Sequence, residues 1–401
     1  MDLDGLLVRI TDLRASDVHL KLGQPPVVRR DGSIEPVEGA APLTEEDLET
    51  VVAIVTRSVP ERHQLFESSG ELDISYQCTG TRYRVNAFRQ RGAISAVFRV
   101  IPTEIPSFET LHMPPGVRRL ANEHRGLVLV TGATGSGKST TLAAMIDHIN
   151  RTRKQHIITI EDPIEMLHPD RSSIVNQREV GIDTVSFAQA LRRALRQDPD
   201  VILIGELRDS ETAETALQAA ESGHLVFSTM HTVDAAETIG RMIEFFPGAK
   251  QPMIRSILAG VLKGVVSQRL LPMPEKGRIA AVEVMVVNDR ISELIRESRA
   301  DEIPSAIREG SYYDMQTLTQ ALIELTIAGL VDRDTATAAA PNAHDFQIAL
   351  SHAEKTLAAE AEEKARAEAE RLAADAEQRR EPDEPDGREL LGIGPAPSGA
   401  A

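Results

Sequence analysis

The segment from Gly132 to Ser139 contains the residue types needed to bind a phosphate group. It reads Gly-Ala-Thr-Gly-Ser-Gly-Lys-Ser and fits the pattern G-x-x-x-x-G-K-[ST]. Glycines let backbone N–H groups turn toward a β-phosphate, Lys138 can reach the β and γ oxygens, and the Ser139 hydroxyl can ligate Mg²⁺. We therefore expect an ATP and Mg²⁺ site at Gly132, Ala133, Thr134, Gly135, Ser136, Gly137, Lys138, Ser139 and Thr140.

Carboxylates follow two predicted strands further along the chain. His156–Ile160 leads into the acidic segment Thr159–Glu165, and Val201–Ile204 is followed by Gly205 and Glu206. Strand ends of a parallel sheet lie in the ligand crevice, and an acid after an apolar strand can hold Mg²⁺ through its water shell. Each acid taken alone is more often a solvated loop residue. Their succession after a phosphate-binding loop favours a catalytic function instead.

Two histidines, His224 and His231, bracket the predicted strand Leu225–Met230. The position of His231 at the carboxyl end favours a sensor of the γ-phosphate over a structural histidine. For His224 the two interpretations are evenly balanced. A zinc site is disfavoured because the two residues lie at opposite ends of one strand, with no third ligand nearby.

The elements that must position these residues are short apolar strands alternating with helices. Leu127–Val130 is a continuous apolar run before the glycine-rich loop, and Thr140–Asn150 is predicted to be helical after it. The strands at 156–160, 201–204 and 225–227 have the same apolar character. Such runs are typical of parallel strands covered on both faces. The fold class predicted for this region is α/β, with a mostly parallel sheet between helices.

The remaining sequence divides by composition and pattern. Near the N-terminus, Leu43–Val59 is predicted to be a helix starting at Thr44, and Tyr83–Phe88 and Ala93–Val100 to be a hairpin about Arg91-Gly92. Prolines 102, 106, 114 and 115 indicate a stiff connector without a helix through it. Beyond it, Ile291–Glu297, Met315–Leu330 and Ala343–Arg380 are predicted to be helical. The expected divisions are residues 1–100, a linker at 101–116, an α/β core at 117–290, a helical region at 291–350, and an acidic, partly disordered tail at 351–401.

Composition excludes several classes of protein. The net charge of −17 and the 3% aromatic content argue against a nucleic-acid partner, which needs a basic surface and stacking side chains. The single cysteine, Cys78, cannot form an internal disulfide or a multi-cysteine zinc site. No run reaches the roughly 18 apolar residues of a membrane span, and the acidic start has no signal pattern. We expect a cytoplasmic protein without direct membrane insertion.

A longer series of segments resembles the secretion ATPase superfamily, and within it the type IV pilus retraction ATPases of twitching motility (PilT-type). The resemblance covers about residues 1–346. The segments that carry it are Ala15–Leu20, Tyr83–Phe88, Gly126–Gly132, Glu161–Glu165, Val175–Val180, Ala190–Arg192, Glu221–Val226 and His231-Thr232. It implies a PAS-like N-terminal α/β domain joined to a RecA-like P-loop ATPase domain.

The resemblance also implies roles for individual residues. Glu165 falls on the general base that activates water, and Glu206 on the Walker B glutamate. His224 and His231 match the family's His box. Arg84 and Arg99 match arginines that reach the γ-phosphate held by the neighbouring subunit, although ordinary strand-surface charge is the interpretation favoured by the sequence alone.

Assembly and partners are likewise implied by the resemblance. Family members form homo-hexamers that move a platform protein of the inner membrane at the base of the pilus. The chain would then hydrolyse ATP at the cytoplasmic face of that membrane and drive pilin disassembly together with the pilus machinery.

Three alternatives stay open at this point. An accessory paralogue would work beside a primary retraction motor. An extension or type II secretion ATPase usually carries a longer N-terminal region and a four-cysteine insert, which this sequence lacks. The segment Arg290–Glu297 keeps the end of the family's retraction motif but differs from it in the middle. This difference concerns the assignment to retraction and not the assignment of ATP hydrolysis. A nucleic-acid motor is disfavoured by the charge.

Overall fold

The computed structural model describes residues 2–378, apart from Arg14, Asp31, Thr103 and Lys276, together with Gly399. The chain divides into two compact units, Met1–Pro341 and Asn342–Ala401. No helix among the described residues is long and apolar enough to cross a membrane. Disorder is predicted for the end of the tail, and those residues lie mostly outside the described part of the chain.

The N-terminal part of the first unit is built on an antiparallel sheet. Its strand order, in the residues the structure describes, is β3-β2-β1-β6-β5-β4. These strands are β1 Asp17–Lys21, β2 Val27–Arg30, β3 Ser33–Pro36, β4 Glu71–Cys78, β5 Thr81–Gln90 and β6 Ala93–Ile101. The accompanying helices are α1 Leu3–Asp12, α2 Glu45–Val55 and α3 Pro60–Ser69.

Local sequence accounts for two of these elements. Thr44 caps α2 through a reciprocal pair of hydrogen bonds with Asp47, so the predicted helix start is confirmed. Arg91 and Gly92 have φ angles of 52° and 81°, which form the tight turn of the β5–β6 hairpin. The predicted hairpin is therefore also confirmed.

The second sheet has the strand order β13-β12-β7-β11-β10-β8-β9 among the described residues. All neighbours pair in parallel except β12 and β13. These strands are β7 Gly126–Thr131, β8 His156–Glu161, β9 Ile174–Glu179, β10 Val201–Ile204, β11 Leu225–Met230, β12 Leu262–Pro272 and β13 Arg278–Val286. The predicted α/β fold class is confirmed.

Helices cover the faces of this sheet and follow it along the chain. They are α4 Pro115–Ala121, α5 Lys138–Thr152, α6 Phe187–Ala194, α7 Ser210–Glu221, α8 Ala235–Glu244, α9 Gln251–Val261, α10 Asp289–Arg296, α11 Ile303–Arg308, α12 Leu318–Ile327 and α13 Arg333–Ala339. Single 3₁₀ turns occupy Ala300–Glu302 and Ser311–Tyr313. Pro115, placed in the predicted linker, is the first residue of α4, a position that tolerates proline because the N–H that proline lacks would have no acceptor within the helix there.

The second unit contains one long helix, α14, at Ala343–Gln378. The sequence predicts a helix at 343–380, and the last two of those residues lie outside the described part. The compact division of the chain lies at Asn342, whereas composition predicts a change at 351, inside α14.

Each sheet has its own apolar core. One cluster of buried side chains runs from Leu3 to Phe98, and a second runs from Phe108 to Met315. Every residue of β7, β10 and β11 is buried, as expected for parallel strands covered on both faces.

Glu283 on β13 is a buried carboxyl group that contacts a helix start. Its Oε1 accepts a hydrogen bond of 2.9 Å from the backbone N–H of Ala235, the first residue of α8. Burial raises the pKa of Glu283 to about 7, although the N–H groups of Ala235 and Leu318 favour the charged form. The folded protein therefore binds a proton here more tightly than the unfolded chain does.

We expect Glu283 to make stability depend on pH. Its pKa is about 7 when folded and 4.5 ordinarily, so its stabilising contribution is fully present below pH 4.5 and is lost as the pH rises through 7. Glu283→Gln abolishes this titration. The unfolding free energy of the unaltered chain minus that of the variant should fall by about 3 kcal/mol between those two pH values. Urea unfolding of both proteins across this range checks the prediction, and a difference that does not vary with pH would contradict it.

Candidate active site

The glycine-rich loop joins β7 to α5 in a conformation that favours glycine at three positions, Gly132, Gly135 and Gly137. Gly132 and Gly137 have φ angles of 142° and 92°. A Cβ atom on Gly132 would lie 2.4 Å from the carbonyl oxygen of Gln268 on β12. The loop is therefore pressed against the neighbouring strand, and the helix after it starts at Lys138 with its N–H groups directed into the loop.

Lys138 is held inside this loop. It is 9% exposed, and its Nζ donates to the carbonyl oxygens of Gly132 at 2.8 Å and Ala133 at 3.0 Å. Burial lowers the pKa of Lys138, and the nearby carboxylates of Glu206 and Glu165 oppose that shift. The ammonium group is thus placed between the loop and the two predicted catalytic acids.

Gln268 supports the loop from behind and was not identified from the sequence. Its Nε2 donates to the carbonyl oxygen of Ser136 at 2.6 Å, and its side chain is buried. Next to it, the Thr131 hydroxyl donates to Ser267 Oγ at 2.9 Å. The β-rich run 265–271 is the signal that would have placed a strand, and with it Gln268, beside the loop.

The two acid-bearing strands are neighbours in the sheet. β8 and β10 pair in parallel with Ile160 opposite Ile204, so the residues that follow them leave the sheet at the same edge. His231 follows β11, the next strand. Its Nε2 lies 3.6 Å from Oε2 of Glu206, and Arg208 forms an ion pair with the other oxygen. The structure therefore brings Glu206 and His231 together.

Glu161 is a partly buried acid that contacts the backbone of the predicted base. It accepts hydrogen bonds from the Thr159 hydroxyl at 2.6 Å, from Gln177 Nε2 at 3.1 Å and from the backbone N–H of Glu165 at 3.4 Å. Burial raises the pKa of Glu161 and outweighs the lowering effect of these bonds. Sequence patterns include Glu161 in the acidic segment but do not distinguish this supporting position from that of Glu165.

Arg84 and Arg99 lie opposite each other on β5 and β6. Arg84 makes two hydrogen bonds to Asp73, of 3.3 and 3.0 Å, and Arg99 makes one of 2.8 Å to Asp17. Asp17 is buried, which by itself raises its pKa, but hydrogen bonds from Arg99 and Ser16 outweigh this and lower it. Both arginines are therefore held by carboxylates within their own sheet.

Most of the predicted site residues meet in one cavity of about 790 Å³. Those that line it are Arg84, Arg99, Thr134, Gly135, Gly137, Lys138, Ser139, Thr140, Glu165, Glu206 and His231. The remaining loop residues Gly132, Ala133 and Ser136 do not line it, and the Ser136 side chain points inward and is buried. Arg84 and Arg99 face the glycine-rich loop of their own chain, whereas the resemblance implied a site in the neighbouring subunit.

His224 is not part of this cavity. It precedes β11, whose six residues separate it from His231 by about 20 Å at the usual rise of a strand. Its Nδ1 lies 3.0 Å from the carbonyl oxygen of Ala219 and 3.1 Å from Ser222 Oγ, at the end of α7. In this chain the ring caps a helix at the opposite edge of the sheet.

The oxygen ligands in the cavity suit Mg²⁺ held jointly with a nucleotide. The Ser139 hydroxyl and the Glu206 carboxylate line the same space beside Lys138. Among the described residues no group of three or more His, Cys, Asp or Glu side chains could hold a metal by itself. Magnesium in phosphate sites typically takes one or two protein ligands and relies on the phosphates and water for the rest, so the residues present fit.

Comparison with known proteins places these features in a family. The model of the type II/IV secretion system protein family matches residues 81–332. The type IV pilus retraction ATPase PilT of Pseudomonas aeruginosa is 45% identical over 84% of this chain and 97% of its own. The type IV pilus ATPase PilU of the same species is 39% identical over 87% of this chain and 91% of its own.

Solved structures agree with the sequence matches. The crystal structure of the pilus retraction motor PilT with bound ADP superposes with a TM-score of 0.79 at 45% identity. The match covers 86% of this chain and 98% of that one. The family model matches well over half of the chain, and these relatives match it along nearly their full length. The chain belongs to the type II/IV secretion system protein family.

Proposed function

We propose that this chain is an ATP-hydrolysing motor that drives type IV pilus retraction. The observation that carries the proposal is the single cavity in which a phosphate-binding loop, two acids and two arginines meet. The relatives support retraction of the pilus over extension, since the retraction ATPase PilT is 45% identical to this chain.

In the proposed reaction, the loop N–H groups and Lys138 bind the phosphates of ATP. Glu165 accepts a proton from a water molecule whose oxygen forms a bond to the γ-phosphorus. The bond between that phosphorus and the β–γ bridging oxygen breaks, and ADP and phosphate are released. Ser139 and Glu206 would hold Mg²⁺, which neutralises phosphate charge when bound.

Arg84 and Arg99 stabilise the negative charge that develops on the γ-phosphoryl oxygens. In the described structure they are paired with Asp73 and Asp17, so each must release or share its carboxylate partner to reach a phosphate. His231 lies beside Glu206 and senses whether the γ-phosphate is present. The arginines act on the nucleotide of their own chain, since they line the cavity that contains its loop.

We further infer a homo-hexamer at the cytoplasmic face of the inner membrane, in contact with a pilus platform protein. Residues 1–100 and 117–290 act as two domains about the linker 101–116. The separate apolar cores of the two sheets support the division into two domains. Residues 291–350 form a helical region after the core, and the acidic tail from 351 is an appendage whose partner is not identified.

A second candidate function is that of an accessory motor beside a primary one. The observation that favours it is that one species, Pseudomonas aeruginosa, has two pilus ATPases similar to this chain, PilT at 45% and PilU at 39% identity. Both candidate functions require the same hydrolytic site. They differ in how pili behave in cells that lack the protein, and not in the chemistry of the cavity.

Glu165→Gln should nearly abolish hydrolysis. The amide keeps the size of the side chain but cannot accept the proton, so kcat should fall by at least about 100-fold. Binding of a fluorescent ADP analogue should persist because Lys138 and the loop are intact. The matched control is Glu244→Gln, which removes an exposed acid paired with Arg241 outside the cavity. Phosphate release at the unaltered rate in Glu165→Gln would contradict the assignment of the base.

Arg84→Ala should lower kcat by about 1000-fold or more if Arg84 stabilises the transition state. Mixing this variant with Lys138→Ala tests which chain it serves. An arginine that acts within its own chain leaves every subunit of a mixed ring defective, so we expect no recovery of phosphate release. Recovery on mixing would assign Arg84 to a neighbouring site. Arg89→Ala on the same strand is the control, since its partner Glu67 is exposed and distant from the cavity.

Deleting the gene in cells that produce this chain distinguishes the candidate functions. Loss of a retraction motor should leave cells with pili that extend and do not shorten. Loss of an accessory motor should leave shortening that stalls under load, and loss of an extension motor should leave cells without pili. Fluorescently labelled pili, followed with and without an optical trap, provide the measurement. Cells without pili would overturn the retraction assignment.

A further inference from the structure

One carboxylate bonds the two sheets to the loop that carries the predicted base. Glu179 at the end of β9 is 2% exposed. Its Oε2 accepts three hydrogen bonds, from the Ser75 hydroxyl at 2.8 Å, from Arg82 Nη2 at 2.7 Å and from the backbone N–H of Ile164 at 3.1 Å. These three donors come from β4, β5 and the segment after β8.

Two of the donors are adjacent in sequence to proposed catalytic groups. Arg82 is two residues before Arg84 on β5, and therefore on the same face of that strand. Ile164 immediately precedes Glu165. Arg82 and the Ile164 N–H are bonded to the same oxygen atom of Glu179. A shift of the antiparallel sheet relative to β9 would therefore move Arg84 and disturb the loop of Glu165 at the same time.

The contact is strong enough to act as an anchor. The side chains of Glu179 and Arg82 are 3% and 15% exposed, so neither charge can be satisfied by bulk water if the pair separates. Removing one partner of a buried pair leaves an uncompensated charge, unlike the loss of an exposed pair, which has little effect. Arg89 and Glu67, at the other end of β5, form such an exposed pair, with exposures of 38% and 57%.

We propose that Glu179 is a positioning residue that couples the N-terminal sheet to catalysis. By holding Arg82 and the Ile164 N–H at once, it fixes Arg84 and Glu165 on opposite sides of the phosphate cavity. Hydrolysis then depends on how β4 and β5 pack against β9. This inference rests on the proposed ATPase function, but the contact itself can be tested without it.

The kinetic test compares Arg82→Gln and Glu179→Gln with the matched control Arg89→Gln. Misplacement of catalytic groups should lower kcat by roughly 10- to 100-fold in the first two variants. KM for ATP should change by less than about threefold, because the phosphate loop is untouched. Arg82→Lys restores a cation at the one donor position in use and should recover most of kcat. Unaltered kcat in both test variants, in a protein that hydrolyses ATP, would overturn the inference.

Hydrogen exchange provides a readout that needs no hydrolysis. In Arg82→Gln the backbone amides of residues 161–166, apart from Pro163, should exchange at least about tenfold faster, since the carboxylate that accepts from the Ile164 N–H has lost its cation. Exchange across β12 and in Arg89→Gln should be unchanged. If the unaltered chain does not hydrolyse ATP, the proposed function fails while this measurement still decides the coupling. Unaltered exchange at 161–166 in Arg82→Gln would overturn it.

Discussion

The parallel pairing of β7, β11, β10 and β8 is the constraint on which the rest of the structure depends. Ser228 lies opposite both Leu129 and Ile204, and Ile204 lies opposite Ile160, so the four strands end at one edge. The glycine-rich loop, Glu206, the acidic segment and His231 therefore emerge side by side. Residues separated by up to a hundred positions reach one cavity because the strands before them are buried and in register.

Opposite charges reach this cavity from two different sheets. The parallel sheet contributes the acids and Lys138, and the antiparallel sheet contributes Arg84 and Arg99. Each arginine is held by an acid of its own sheet, which limits the side-chain freedom that would be lost on binding a phosphate. Under the proposed function, this arrangement would make the position of one sheet relative to the other a determinant of the rate of hydrolysis.

Sequence patterns predict the parallel core well because its signals are local. Apolar runs such as Val201–Ile204, the glycine-rich loop and the Thr44 cap each depend on a few neighbouring residues. Strand β9 was not predicted because its residues mix polar and apolar types without a regular period, and β12 was missed although the β-rich run 265–271 marks it. Because β12 was not predicted, Gln268 could not be placed beside the loop. Because β9 was not predicted, Glu179 could not be placed at the end of a strand.

The site shows the same division between local and long-range information. The sequence predicts Glu165, Glu206 and Lys138 as site residues because each lies in a recognisable motif or follows a recognisable strand, and all three line the cavity. His224 was grouped with His231 by the resemblance, but six buried residues hold the two at opposite edges of the sheet. The partners Arg82 and Glu179 are 97 residues apart. Their contact arises only from the packing of the antiparallel sheet against β9, the edge strand of the parallel sheet, which no local pattern encodes.

The placement of the arginines also changes how assembly would control hydrolysis. If an arginine came from a neighbour, an isolated subunit would lack a catalytic group. In this structure every proposed catalytic group lines one cavity of one chain, so under the proposed function assembly would act on the spacing between the sheets. A neighbour that pressed on the antiparallel sheet would alter the Arg82–Glu179 contact and, through Ile164, the loop of Glu165. Under the proposed function, a ring built this way would control hydrolysis by geometry, because each subunit would already contain the residues required.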